Sequence, residues 1–333
     1  MKQVTTIGLL YETVEDARKL GLPLEMVDHW RDEGELDAIA SAIEAAGFTV
    51  CRIGTPHDFV QKYARFGSTV DFVMTLSVGF MTRYRQAFGA MSCELAQIPY
   101  SGPDPYAKLV GQNKHIIKSF FDKMNIMTPR WKYVHSMEMF RQQYPPFPLI
   151  IKPACEGTSV GIRESAVVKS HKELEEYVRY VLLELGFPVL VEEFVAGREY
   201  KIGYIGNGDT IHRGIIEDVQ ENGTSLGDLF FHYTAKRDRV FKKVKRDVNV
   251  EEFSEIMQIT KRVYSLFEPI DYGVFDIRQD SSGKFYIIDF NMDATLHPDK
   301  TLAFIFNSVG WSYEKIIHEI LRASFYRQKL KWN

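Results

Sequence analysis

Three observations predict an α/β protein of three domains whose first domain carries a parallel sheet. Short apolar runs alternate with amphipathic helices over the first hundred residues, prolines and glycines break the chain near residue 100, and the second half is rich in strands. The length agrees, because 333 residues exceed what one hydrophobic core usually organises. The divisions are expected at 1–102, 103–188 and 189–333.

Val4 to Leu10 reads as a buried strand. Glu35 to Ala46 carries Leu36, Ile39, Ala40 and Ile43 at helical spacing, Gly47 stops it, and Phe48 to Ile53 is the next strand. Asp71 to Leu76 is another, so strand and helix alternate as in right-handed parallel crossovers. The Ile98-Pro99-Tyr100-Ser101-Gly102-Pro103-Asp104-Pro105 segment then interrupts any regular element. Beyond it the pattern predicts a helix over Tyr106 to Asn125, strands over Trp131 to Val134 and Phe147 to Lys152, and a helix over Lys172 to Leu185. Strands follow at Pro188 to Phe194, Arg198 to Ile205, Asp209 to Ile216, Gly273 to Ile277 and Phe285 to Phe290. Tyr313 to Phe325 closes the chain as a helix.

Composition narrows the class. Apolar residues are 45% and charged residues 26%, which places the chain among ordinary globular proteins. A net charge of -3 argues against a protein that coats nucleic acid. Three scattered cysteines, Cys51, Cys93 and Cys155, suit a reducing compartment better than a disulfide framework. The opening MKQVTTIGLLYETVED turns acidic too soon for a signal peptide, and no apolar run approaches a membrane span. The expectation is a cytoplasmic protein with no nucleic-acid or membrane partner.

The most specific segment is Ile151-Lys152-Pro153-Ala154-Cys155-Glu156-Gly157-Thr158-Ser159-Val160-Gly161-Ile162. A lysine at a strand end reaches phosphate oxygens as a point charge, and small residues in the following loop let backbone N–H groups approach the same oxygens. Alone, this stretch would serve equally as an ordinary turn. It resembles, however, the Lys-Pro-(x)-(x)-Glu-Gly-Ser-Ser-x-Gly loop of the D-alanine–D-alanine ligase branch of the ATP-grasp superfamily, and the likeness continues in order from about Ile98 to the carboxyl end.

Val189 to Glu199 is similar to that family's nucleotide hinge. The resemblance implies that Glu192 faces adenine, that Glu193, Phe194 and Val195 pack on the base, and that Glu199 binds the ribose. By itself the segment is also a strand with a solvated acidic edge. His232-Tyr233-Thr234-Ala235-Lys236 matches the family's Asp-Tyr-x-x-Lys loop, which makes Lys236 a contact of the transferred phosphate, and Lys114 matches a further phosphate-binding lysine. Thr158 and Ser159 would close over the reacting groups together with Lys236.

The metal argument rests on spacing. Strands ending around Asp276 and Asp289, joined through Asp280-Ser281-Ser282-Gly283, would bring the two aspartates together as an antiparallel pair, and Asn291, two residues beyond Asp289, shares its face. Three hard oxygen donors suit Mg²⁺, with Mn²⁺ as a substitute. Asp and Asn at strand ends are also common turn formers. The family usually has glutamate where Asp289 stands.

Substrate residues depart from the pattern. The arginine that the family carries shortly before the metal aspartate falls on Val274, and the family's Asn-x-x-Pro-Gly-Met-Thr stretch is here Asn291-Met292-Asp293-Ala294-Thr295-Leu296-His297-Pro298. Ser77 to Arg85 replaces the first domain's substrate loop. Arg278, Arg83, Arg85, His297 and Lys300 are candidates to supply the missing donor, and Glu12 or Glu15 to orient an amino group. The basic stretch from Lys236 to Arg246 reads as a solvated face or as a lure for an anionic substrate. The resemblance thus implies an ATP-grasp ligase that joins a small-molecule carboxylate to an amine through an acyl phosphate, working as a homodimer, with D-alanine not assigned as substrate. A nucleotide-binding sensor and a small-molecule kinase are the alternatives on the same fold.

Overall fold

The computed structural model describes residues 3–21, 30–66, 69–80, 82–141, 143–157, 159–238 and 240–332. Its strands form three sheets. β1 (Thr6–Leu10), β2 (Thr49–Gly54) and β3 (Phe72–Thr75) make a parallel sheet in the order β2-β1-β3. β4 (Trp131–Val134), β5 (Leu149–Pro153), β6 (Val167–Val168) and β7 (Val189–Glu193) pair antiparallel in the order β4-β7-β5-β6. β8 (Arg198–Ile205), β9 (His212–Val219), β10 (Lys242–Arg246), β11 (Tyr272–Gln279) and β12 (Phe285–Asn291) form the third, ordered β10-β9-β8-β11-β12. The expected boundary at 188/189 precedes β7, whose register partners lie in β4 and β5, so the second sheet runs on to Glu193.

The helices are α1 (Val14–Lys19), α2 (Glu33–Ala45), α3 (Pro56–Phe66), α4 (Ala87–Ala96), α5 (Pro105–Gln112), α6 (Lys114–Lys123), α7 (His171–Arg179), α8 (Tyr233–Arg237), α9 (Glu251–Leu266), α10 (Thr301–Asn307) and α11 (Tyr313–Arg327). None is long and apolar enough to cross a membrane among the described residues. One face of the parallel sheet, with Ile7, Leu9, Phe72 and Met74, packs on Leu36, Ile39 and Ile43 of α2 and on Ile316, Ile317, Ile320 and Leu321 of α11. The last helix therefore shares the first domain's core. The other face, with Leu10 and Val73, meets Phe59, Ala90 and Cys93. In the third sheet, Tyr200, Ile202, Tyr204, Phe275, Ile277 and Phe290 bury one face beneath α9, joined by Ile117 and Phe121 of α6. The opposite face carries Glu199, Lys201, Asp276 and Asp289 at one end, and Ile205, Ile216 and Val274 in the core with Leu302 and Ile305 at the other.

The single helix expected over Tyr106 to Asn125 is two. The chain breaks at Asn113, whose backbone leaves the helical region (φ -100°, ψ 89°) and whose side-chain amide donates to the carbonyls of Arg83 and Leu109. The Lys114 N–H then donates to Ala154 O at 2.8 Å. That bond pins the start of α6 to the loop after β5.

Candidate active site

Four elements converge on a patch of buried lysines. α6 brings Lys114 and Lys118, β5 brings Lys152, β7 brings Glu192 and β12 brings Asp289. Lys118 lies 2.5 Å from Glu192, each side chain 1% exposed, and Lys152 closes on the other oxygen of the same carboxylate. Lys114 pairs with Asp289. Burial opposes the charge of Glu192, yet Lys118 and Lys152 outweigh it and hold the carboxyl below its usual range. Burial likewise opposes the charges of Asp289 and Lys114, and the pair overcomes it, Asp289 lying low and Lys114 high. Lys118 pays for its depth: burial draws its ammonium down despite Glu192. Three ammoniums face two carboxylates here, so the patch carries surplus positive charge, as a polyphosphate site requires.

The expected antiparallel hairpin is present. Asp276 lies directly opposite Asp289, with a bulge after Asp276, and Val274 opposes Asn291. Asp280 builds the turn by accepting the N–H groups of Ser282 and Lys284 on one carboxylate oxygen. Asp276, Asp289 and Asn291 thus share one face, and the Asn291 amide oxygen accepts the Asp293 N–H at 3.1 Å. Among the described residues no cluster of three His, Cys, Asp or Glu forms a metal cage. The donor set is two carboxylates and one amide.

Glu199 sits on β8 opposite Arg278 of β11, paired to it and to Lys201 at 2.6 Å. Burial opposes its charge, but these two cations hold its carboxyl at about 2. Arg278 also donates to the carbonyls of Val195, Gly227 and Leu229 and lies over the Phe194 ring at 5.5 Å. It ties the strand connection after β7 to the 227–229 loop, and is fully used. Gly197 makes that connection possible: at φ 139° a Cβ there would stand 2.0 Å from Gln279 O. Glu193 turns outward to Arg130, and its N–H and that of Phe194 donate to the carbonyls of Arg130 and Pro148.

The loop after β5 meets the loop before α8. Ser159, at φ 69°, donates its hydroxyl to Phe231 O at 3.3 Å, and Tyr233 N–H donates to Ile162 O at 2.9 Å. Thr158 and the side chain of Lys236 lie outside the described residues. The basic stretch beyond them is half neutralised: Lys243 pairs with Asp218 at 2.6 Å and Arg246 with Glu217. Lys242 and Lys245 remain outward on the edge strand, where lysines discourage pairing with another chain.

At the carboxyl ends of β1 and β3, the crevice where open α/β sheets bind ligands, a second polar cluster stands. Glu12 accepts the Ser77 hydroxyl at 2.6 Å and the N–H groups of Val78 and Gly79 at 2.9 and 3.1 Å, so it holds that loop in place. Burial pushes its carboxyl up. Arg85 pairs with Glu156 at 2.7 Å, joining this loop to the loop after β5. Arg31 donates to Leu76 O, Glu35 and Thr295, while its buried Nη2 has no acceptor among the described residues. Val274 packs in the core beside Leu302 and Ile305 and offers no donor.

Sequence reasoning missed Lys118, Lys201 and Arg31. For Lys118 a signal existed: Lys114, Ile117, Lys118 and Phe121 follow the spacing of a buried helix face.

The D-ala D-ala ligase C-terminus family model matches residues 121–322. The D-alanine–D-alanine ligase of Aquifex aeolicus is 27% identical over 229 residues, 68% of this chain and 74% of that one. The D-alanine–D-alanine ligase of Ectopseudomonas mendocina is 26% identical over 296 residues, covering 86% and 88% of the two chains. A crystal structure of the Bacillus anthracis D-alanine–D-alanine ligase complexed with ATP superposes with a TM-score of 0.72 at 17% identity, over 98% of this chain and 99% of that one.

Proposed function

Because the chain belongs to the D-alanine–D-alanine ligase family and has its ATP-grasp fold, we infer that it is an ATP-dependent ligase joining a carboxylate to an amine, and that its nucleotide lies over the buried lysine patch. The observation that carries the placement is the convergence of Lys114, Lys118 and Lys152 on Glu192 and Asp289. Phosphate oxygens would take over the ammoniums that these carboxylates now neutralise. Glu193, Phe194 and Val195 border the adenine pocket, and Glu199 meets the ribose.

The residues fit a hard divalent cation, since all the converging donors are oxygen and two of them are carboxylates in register. Asp276, Asp289 and Asn291 would hold Mg²⁺, or Mn²⁺ in its place, which supplies charge neutralisation to the phosphates when bound.

The reaction takes two steps. A substrate carboxylate oxygen bonds to the γ-phosphorus as the bond to the ADP oxygen breaks, giving an acyl phosphate. The amine nitrogen then bonds to the acyl carbon, phosphate leaves, and the amine loses a proton. Lys152 and Lys114 neutralise the transferred group, with Lys236, Thr158 and Ser159 closing from the loops. The contacts of Ser159 with Phe231 and of Tyr233 with Ile162 join those loops over the site, which excludes water from the acyl phosphate.

For substrate we place an amino acid or small peptide in the crevice beside Glu12, Arg31 and Arg85. Glu12 is occupied by the Ser77 to Gly79 loop and acts on its position. Arg31 retains one N–H₂ group for a carboxylate. A homodimer in the cytoplasm is the assembly that the family likeness suggests, and sedimentation of the purified chain tests the dimer.

The deciding experiment incubates the protein with ATP, Mg²⁺ and pools of D- and L-amino acids and small carboxylates, following nucleotide and new masses together. ADP with a product equal to two pool members less water supports the ligase. ADP with a phosphorylated compound and no condensation would instead make it a kinase, and tight ATP binding without turnover on every pool would favour a sensor.

A further inference from the structure

Arg85 and Glu156 join two distant loops through a buried ion pair. The Arg85 Nη2 donates to one oxygen of Glu156 at 2.7 Å and its Nε approaches the other at 3.5 Å, with each side chain 4% exposed. No local pattern asks for this contact. Arg85 belongs to the segment after β3 and Glu156 to the loop after β5, 71 residues further along the chain.

The same guanidinium grips the crevice turn. Its Nη1 donates to the carbonyls of Val78 and Gly79, while Glu12 accepts the N–H groups of the same two residues, so the turn is held from both sides. Gly79 is required there, because at φ 64° a Cβ would stand 2.4 Å from Arg85 O. A second tie runs beside the first. Gln112, at the end of α5, donates to Thr82 O at 3.2 Å and to Cys155 O at 3.4 Å, and accepts the Gln86 N–H at 3.2 Å. Val160 of the loop after β5 packs in one cluster with Ala17 and Trp30, whose indole donates to Gly79 O at 3.1 Å. Turn and loop are parts of one connected network.

A buried ion pair specifies geometry more than it adds stability, because desolvation offsets much of the attraction, yet parting it leaves a charge stranded. Turn and loop therefore hold one relative setting. We propose that Arg85 is a positioning residue for the loop after β5: through Glu156 it ties the nucleotide-binding setting of that loop to the crevice turn, so that nucleotide on one side steadies the turn on the other. The proposal rests on the placement of the nucleotide over Lys152. Such coupling is reciprocal, and a crevice ligand would strengthen nucleotide binding by the same factor.

The test is hydrogen–deuterium exchange of the full chain, read by mass spectrometry with and without Mg²⁺ and the non-hydrolysable imido analogue of ATP. In the wild type the nucleotide should slow exchange across 189–199, where it binds, and also across 77–86 by about fivefold or more, the low end of a typical coupling. Glu156→Ala should keep the first effect and lose the second. A merely structural pair would change exchange of the turn alike with and without nucleotide, leaving the ratio between the two conditions as in the wild type. Should Glu156→Ala fail to fold, Arg85→Met with Glu156→Gln removes both buried charges together and is read in the same way. Equal slowing across 77–86 in the wild type and the folded variant would overturn the proposal, and so would slowing across 189–199 alone in the wild type. No slowing across 189–199 in the wild type would instead remove the nucleotide placement beneath it, a different failure.

Discussion

Lys118 and Glu192 form an ion pair of 2.5 Å in which neither side chain is more than 1% exposed, and Lys152 shares the same carboxylate. Breaking a buried pair by removing one partner typically costs about 3–5 kcal/mol, because the surviving charge is left in a poor environment. Glu192→Gln leaves two ammoniums uncompensated. Its melting temperature is expected to fall by roughly 4–7 °C, at about 1.4 °C per kcal/mol for a chain of 333 residues. Saturating ATP analogue should restore much of the loss, since phosphates supply the missing negative charge and binding stabilises by mass action. Scanning calorimetry with and without nucleotide decides it. Equal nucleotide-induced shifts in variant and wild type would detach the lysine patch from the phosphates.

Asp289 is the residue on which both the ion pair with Lys114 and the opposition to Asp276 depend. Asp289→Ala should cut kcat by about 10³-fold, as expected when several kcal/mol of charge stabilisation are withdrawn. Circular dichroism should remain that of the wild type, because the residue is partly exposed and packs in no hydrophobic core. Near-normal turnover would end the metal assignment.

Much of this site was legible before any coordinates. The Asp276 to Asn291 hairpin could be read because its turn residues and two-residue alternation are local, and the structure has the pairing register that this implies. Lys152 and its loop were legible for the same reason. Lys201 was not, because its meaning comes from Asp218 on β9 and Asp276 on β11, partners defined only once strands are paired. Asn113 shows the converse case. Its neighbours favour one continuous helix, and the break is imposed by distant groups, the carbonyls of Arg83 and Ala154. The last helix gives no local sign that it completes the first domain, since an amphipathic face does not name the sheet it covers.

Acid should loosen the nucleotide face. Glu199 titrates at about 2 in the folded protein against 4.5 for an ordinary glutamate, so its pairs with Lys201 and Arg278 stabilise the fold fully above about pH 4.5. That contribution is lost as the pH falls from there towards 2, where the folded state no longer gains from the ionised group. Glu192 and Asp289 are also held low and act in the same direction. Urea midpoints measured between pH 7 and pH 3 should therefore fall more steeply for the wild type than for Glu199→Gln. Parallel profiles would show that Glu199 carries none of the acid sensitivity.

Arg31 offers the sharpest test of the substrate crevice. Its Nε and Nη1 are committed to Leu76 O, Glu35 and Thr295 at 3.2, 2.9 and 2.8 Å, and Thr295 in turn donates to Glu35 at 3.0 Å. Nη2 is buried with no acceptor among the described residues, an arrangement that costs stability unless something supplies one. A carboxylate of the amine substrate would do so with a charge-assisted hydrogen bond, worth roughly 1.5–3 kcal/mol. The wild type should then prefer its amino-acid amine substrate, once identified from the pools, to the carboxamide of that same compound by about 100-fold in kcat/KM. Substituting Arg31 alone would strand Glu35, so the informative variant is Arg31→Gln with Glu35→Gln, which removes both buried charges together. It should lose that preference while its KM for ATP stays within about twofold of wild type, because the lysine patch is built from other elements. An unchanged preference for the free acid in this variant would assign carboxylate recognition elsewhere and leave Arg31 as a tie between α2 and the segment after β12.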